Sequence, residues 1–285
     1  MPPSFSALAP RVRDVAGSDD ERGLIVLDLL STLAGFLVGT IVGLTGVGGG
    51  SLMSPVLILL FGVAPATAVG TDLWFAAITK IVGGTVHHRQ NNADWAIVRR
   101  LCWGSLPAVA LTLWWLSSHG HKAESGGLIV RVLGITLVLS ALLTPFRRTL
   151  ANRFARAEGA RTEAMLRWQP LLTAAAGALL GALITLTSVG AGALGATLLL
   201  MLYPFRLNAK KLVGTDILHA VPVALIGGIG HAVIGNINLP LLGSLLLGSV
   251  PGVVLGAKLT DRLPERVVTP ALALMLLIVG LRLLA

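Results

Sequence analysis

The sequence predicts an all-α polytopic membrane protein made of two inverted-topology repeats of about five helical segments each. Three observations carry that expectation. The 285 residues are 54% hydrophobic and 12% charged, with mean hydropathy +0.84. A soluble domain has about 25% charged residues, so the polar surface that water demands is missing. A pattern of glycines and polar residues also occurs twice, in the same order. Gly35, Gly39, Thr45, Val47, Gly48 and Gly50 return 142 positions on as Gly177, Gly181, Thr187, Val189, Gly190 and Gly192. Val69-Gly70-Thr71-Asp72, Gly83-Gly84, His87 and Asn92 return 144 positions on as Val213-Gly214-Thr215-Asp216, Gly227-Gly228, His231 and Asn236. Ordered recurrence of this length marks an internal duplication, and in an apolar chain it points to a transporter. Finally, equivalent loops carry different charge. His87–Trp95 is followed by Arg99 and Arg100, whereas His231–Asn238 has no basic residue; Gly62–Thr67 is uncharged, whereas Tyr203–Lys211 is basic. Basic loops face the cytoplasm, so the swap means that the copies are inserted upside down relative to each other. Five segments per copy, an odd number, require the same inversion.

Residues 1–22 hold Pro, Ser, Arg and Asp without periodicity and read as a disordered N-terminal tail, with no signal-peptide cleavage pattern. The first transmembrane repeat, 23–146, has apolar runs at about Leu24–Leu44, Leu52–Val63, Ala66–Val86, Leu101–Leu116 and Leu128–Phe146. A basic connector, 147–168, follows, and the second repeat, 169–285, has runs at Pro170–Leu186, Ala193–Tyr203, Leu212–Ile234, Leu239–Leu259 and Val267–Leu284. Most suit a hydrocarbon core about 30 Å thick, which takes about 20 helical residues. The second run of each half does not: at 1.5 Å per residue it spans only about 18 Å. Each follows a Gly-rich stretch, so a short or broken helix is expected there; 46–51 and 188–192 are open to re-entrant hairpins or broken full spans. Arg147, Arg148, Arg153, Arg156, Arg161 and Arg167 place the connector in the cytoplasm; the expected location is integral to a bacterial plasma (inner) membrane. Arg131 fits neither side. The basic residues describe topology and not nucleic-acid binding, and a lone Cys102 excludes an intrachain disulfide.

Backbone breaks in lipid are tolerated only inside protein or beside a water-filled cavity. Gly46–Gly50 and Val189–Gly192 are therefore expected inside the bundle, ahead of short helices whose first N–H groups lack partners and would attract an anion. The substrate-binding candidates are Thr45, Gly48, Gly49, Gly50, Ser51, Thr71, Lys80, Thr187, Ser188, Gly190, Gly192 and Thr215. Glycines at Gly35, Gly39, Gly43, Gly177 and Gly181, spaced by four, read instead as helix-crossing residues. Asp72 and Asp216 are ion-coupling candidates, because an intramembrane carboxylate is costly and by default functional; each lies near a segment start, where it could equally cap a helix. Lys80, opposite Ala224 in the other copy, either balances an anion or pairs with Asp72 or Asp216. His87, His219 and His231 titrate near neutrality and complete the ion-coupling set, against the plainer reading of interface histidines.

At Gly46–Gly50, Ala68-Val69-Gly70-Thr71, His87 with Asn92-x-Asp94-Trp95, and Gly104-Ser105-x-Pro107 the chain resembles the sulfite exporter TauE/SafE family of membrane permeases. The resemblance covers nearly the whole chain after residue 22, and it departs from the family's usual Ser after Gly-Thr, where Asp72 and Asp216 stand. It implies transport of a small sulfur-containing anion, such as sulfite or sulfoacetate, coupled to an ion gradient, while the broken helices and inverted repeats favour alternating access. The alternatives are a passive anion channel or a transporter of a non-sulfur organic anion. No cofactor, metal or nucleic acid is called for; the partners are the anion and the bilayer, with a homodimer left open. An enzyme is disfavoured, since the chain has no His-Glu-x-x-His, Gly-x-Ser-x-Gly or nucleotide-binding Gly-x-x-x-x-Gly-Lys motif.

Overall fold

With no water to satisfy a backbone, apolar segments in lipid become helices, and the chain does so throughout its described length. The computed structural model describes residues 29–45, 52–119, 123–157, 163–204, 206–260 and 265–285. Among them the first half forms α1 (Leu29–Thr45), α2 (Met53–Leu59), α3 (Pro65–Arg89), α4 (Trp95–His119) and α5 (Ala123–Ala157). The second forms α6 (Glu163–Thr187), α7 (Ala193–Leu202), α8 (Ala209–Val233), α9 (Leu239–Thr260) and α10 (Glu265–Leu284). No strand occurs among the described residues. Windows in five helices, within 95–119, 126–146, 167–187, 210–233 and 239–256, are long and apolar enough to cross a membrane. The tail at 1–22 and the first Gly stretch at 46–51 lie outside the described residues. Most of 147–168, expected as a connector, is helical: α5 continues through Ala157 and α6 begins at Glu163.

The short runs are short helices. α2 has 7 residues and α7 has 10, so they rise only about 10 and 15 Å. The motif Asn92-x-Asp94-Trp95 and its echo at Asn236–Leu239 start helices. Asp94 accepts the N–H groups of Ala96 and Ile97 at the head of α4. Asn238 accepts that of Leu241 at the head of α9. Both supply the orphan donors of a first turn with an acceptor.

The halves interleave. α1 lies along α9, and its equivalent α6 lies along α4. A Cβ on Gly35 would sit 2.3 Å from the Leu245 carbonyl oxygen, and one on Gly177 would sit 2.1 Å from that of Leu101. The partners answer from their own glycines: a Cβ on Gly248 would lie 1.8 Å from the Thr32 oxygen, and one on Gly104 1.7 Å from the Ala174 oxygen. Without side chains in the way, the backbones touch, which is how helices associate where no hydrophobic force drives them together.

These contacts fix directions. Gly35 meets Leu245 and Gly39 meets Ser249, so α1 and α9 run parallel; Gly177 with Leu101 and Gly181 with Ser105 show the same for α6 and α4. α3 and α8 are antiparallel: Gly70 meets His231, Trp74 Nε1 donates to the Gly228 oxygen at 2.9 Å, and Gly84 meets Leu218. α5 and α10 are antiparallel too, Gly134 meeting Leu284 and Gly280 meeting Val138. Leu29, Leu33 and Leu37 on α1, Leu171 and Leu179 on α6, and Trp103, Leu111 and Trp114 on α4 are exposed outward, an apolar surface suited to lipid. Trp95 and Trp168, exposed at the start of α4 and near that of α6, suit the interfacial belt.

Candidate functional site

The second break is fully traced. α6 ends at Thr187, whose hydroxyl donates back to the Leu183 oxygen at 2.6 Å and accepts the Val189 N–H at 3.1 Å. Ser188, Gly190 and Gly192 then take φ values of 59°, 139° and 104°. Glycine adopts these freely. For Ser188 a left-handed backbone costs about 1–2 kcal/mol, and strain of this kind collects at functional turns. α7 starts immediately beyond.

A carboxylate from another helix holds the start of α7. Gly192 N–H donates to Asp216 Oδ2 at 2.7 Å. Gly195 lets the carboxylate in, since a Cβ there would lie 2.2 Å from Asp216 Oδ1. The first half uses the same device one turn differently. Asp72 Oδ2 accepts the Ser54 N–H at 3.0 Å and the Ser54 hydroxyl at 2.6 Å, at the second residue of α2. Each duplicated Asp therefore caps the short helix of its own half and not the helix it belongs to. A negative charge at a helix N-terminus is stabilised by the exposed N–H groups and the dipole. The Gly192 N–H, expected to face an anion, is thus already engaged.

The two capping carboxylates share surroundings. Lys80 on α3 is buried and interacts electrostatically with Asp216 and Asp72, and His219 on α8 lies within the field of Lys80. Ser188, from the second-half break, approaches Asp72 of the first half. His219 Nε2 is 3.0 Å from Ser105 Oγ on α4. Asp72, Asp216, Lys80, Ser188, Gly192 and His219 thus come together.

Others are placed elsewhere. Thr71 Oγ1 accepts the Asn238 N–H at 3.1 Å, and Thr215 Oγ1 accepts the Asp94 N–H at 3.0 Å. Each threonine braces the loop of the opposite half. The Thr187 hydroxyl is occupied in closing α6, and Gly190 shapes the turn, its oxygen accepting the Gly195 N–H at 2.9 Å. His231 is buried, with Nε2 3.0 Å from the Thr185 oxygen; as that carbonyl can only accept, Nε2 carries the proton. Gly48, Gly49, Gly50 and Ser51 lie outside the described residues, as do the side chains of Thr45 and His87. Arg131, which fitted neither side, is exposed on α5.

Three features escaped the sequence reading. Ser54 binds Asp72; its only signal is a hydroxyl in an otherwise apolar run. Ser105, in the repeated Gly-Ser-x-Pro motif, meets His219. Arg206, between α7 and α8, grips Asp94 with two bonds, Nε to Oδ2 at 2.5 Å and Nη2 to Oδ1 at 3.0 Å. Burial acts to raise the Asp94 carboxyl, but the Arg206 bond, the Ile97 and Ala96 N–H groups and the guanidinium charge together hold it below the usual range. No such pair joins the equivalent residues, because Asn238 stands where Asp94 does.

The family model described as sulfite exporter TauE/SafE matches residues 31–283. The chain belongs to the sulfite exporter TauE/SafE family. It is 38% identical over 263 residues to the "Probable membrane transporter protein YjnA" of Bacillus subtilis (strain 168), covering 88% of this chain and 98% of that protein. It is 31% identical over 259 residues to "Probable membrane transporter protein YdhB" of the same organism, with coverage of 90% and 100%. A "Probable membrane transporter protein" of Haemophilus influenzae (strain ATCC 51907 / DSM 11121 / KW20 / Rd) is 26% identical over 277 residues, with coverage of 89% and 96%. No solved structure matches. This TauE/SafE chain is an integral membrane transporter and not an enzyme.

Proposed function

We propose that this TauE/SafE protein carries a small anion, a sulfur oxyanion or organosulfonate such as sulfite or sulfoacetate, across a bacterial inner membrane by alternating access, driven by an ion gradient. The observation that carries this reading is the buried centre: two carboxylates, each tied to a short helix, with the buried Lys80 ammonium interacting with both. Discontinuous helices at corresponding places in two repeats are where secondary transporters bind substrate and coupling ion. The anion sits near mid-membrane between the two Gly stretches. Lys80 offers it charge, and Ser188, Thr45 and Ser51 offer hydroxyls. Asp216 already holds the Gly192 N–H, which is therefore not counted among the anion's donors.

The halves sit upside down in the membrane. Support comes from equivalent helices meeting antiparallel, α3 with α8 and α5 with α10, and from the basic segments 147–168 and 206–211, read as cytoplasmic. Proteoliposome uptake of sulfite, sulfoacetate, sulfate, acetate and chloride tests the function. Saturable uptake of the sulfur anions against a concentration gradient is expected. Unsaturable flux that only follows the anion's own gradient would make the protein a channel, and uptake of acetate alone would reassign the substrate.

A further inference from the structure

We propose that Asp72 Oδ1, buried without a partner in the neighbourhood of the opposite half's Ser188, binds the proton that travels with the anion. This deepens the transport reading above and rests on it. Among the described residues Asp72 Oδ1 and Ser188 Oγ are both buried without a hydrogen-bond partner, and the Ser188 hydroxyl is near enough to Asp72 to donate to its charged form. A buried, unpaired carboxylate oxygen is costly. Protonation turns Oδ1 into a donor, and Ser188 suits both states, its hydroxyl donating to the carboxylate and its oxygen accepting from the carboxylic acid. The other carboxylate oxygen keeps its two donors from Ser54 throughout, so only Oδ1 changes state. The step makes and breaks one O–H bond: Oδ1 gains a proton on the acidic side and returns it to water on the other.

Its unpartnered oxygen selects Asp72 over its duplicate. Lys80 on its own helix interacts with Asp72, and Lys80 in turn interacts with Asp216 and His219 on α8. Lys80 thus interacts with both carboxylates, and Asp216 has the Gly192 N–H and further contacts besides. Formally, two carboxylates and one ammonium leave the centre at −1, since His219, held by Ser105, is counted neutral (−2 + 1). An entering anion makes it more negative still in a region of low dielectric, where repulsion is weakly screened. One proton on Asp72 removes one unit of that charge, so anion and proton each raise the other's affinity. A metal cation fits less well. Hard cations take about six oxygens, and Asp72 Oδ1 with Ser188 Oγ offer two, beside an ammonium. Ser188 is the strained residue of the turn that leads into α7. A proton on α3 of one half is thereby felt at the broken helix of the other.

Infrared difference spectra of the purified full-length protein between acidic and alkaline pH test the site without any substrate. A titrating carboxylic C=O band is expected in the wild type. It should disappear in Asp72→Asn, persist in Asp216→Asn, and shift in frequency and midpoint in Ser188→Ala, a substitution small enough to leave the fold in place. A band that survives in Asp72→Asn, or a Ser188→Ala spectrum identical to the wild type, overturns the assignment. With sulfoacetate as probe and the membrane potential clamped, each pH unit of inward gradient should support about a tenfold accumulation for one proton carried. Asp72→Asn should exchange sulfoacetate but not accumulate it. Accumulation driven by sodium and indifferent to pH refutes proton coupling. If the wild type moves no sulfoacetate at all, the transport reading fails, and the spectra still decide the proton site.

Discussion

Asp216 shows how one side chain can hold a break in a membrane helix. Its Oδ2 satisfies the Gly192 N–H, and its Oδ1 lies against Gly195, where no larger residue fits. Asp216→Ala leaves that donor buried and unpaired, which costs about 1–3 kcal/mol. The detergent-solubilised variant should melt several degrees lower; an unchanged Tm would mean that the cap contributes nothing. Gly195→Ala should have the same sign by another route, since its Cβ would displace the carboxylate. The sequence showed that Asp72 and Asp216 are duplicated and buried in apolar runs. It did not show which N–H groups they bind, because capping was weighed for the helix containing each Asp. Their partners lie 18 and 24 positions back along the chain, a distance that local spacing does not reveal. Ser188 was even less legible as a neighbour of Asp72, since that approach depends on how the halves dock.

Between elements, the glycines set distance. The spacing of four at Gly35, Gly39, Gly177 and Gly181 was readable as a crossing surface, and each faces a backbone carbonyl of the other half. Gly104→Ala would place a Cβ 1.7 Å from the Ala174 oxygen and Gly248→Ala one 1.8 Å from the Thr32 oxygen. Helices forced apart this way lose about 1–3 kcal/mol, so both variants should lower Tm and yield, whereas Gly126→Ala, with open space around it, should not. The clasp of Arg206 on Asp94 joins the loop after α7 to the head of α4 and has no counterpart in the other half. Because Asp94 is held below its ordinary range, its contribution is present above the unfolded-state value and is lost only as pH falls through the lower folded value. Stability of the wild type should thus decline on strong acidification by more than that of Asp94→Asn. Parallel acid limbs for the two proteins would show that the pair is idle. Sequence could not pair these residues, as they are 112 positions apart.

For the whole molecule, the duplication and the lengths of the segments were legible because both follow from lipid: apolar length sets the span, and glycine sets the break. The charge swap between equivalent loops predicts opposite orientation. Single cysteines at Asn92 and Asn236, in a protein whose Cys102 has been replaced, should be labelled by an impermeant thiol reagent from opposite sides of the membrane. Labelling from one side would end the inverted reading. A second prediction follows from the interleaving. The chain cut between Gly159 and Ala160 and produced as two pieces should reassemble and copurify, while either piece alone should aggregate.

The exchange of α1 and α6 between the halves has a historical consequence. Each half lacks the partner that its own first helix packs along, so a chain of one repeat would have been unfinished by itself. Two copies meeting head to tail, as α3 meets α8, would have completed each other. On the inverted reading, such an ancestor would need to enter the bilayer both ways in equal numbers, which forbids any strong imbalance of Arg and Lys between its loops. Fusing two copies into one chain lifts that restriction, and Arg206, Lys210 and Lys211 stand where the first copy has an uncharged loop.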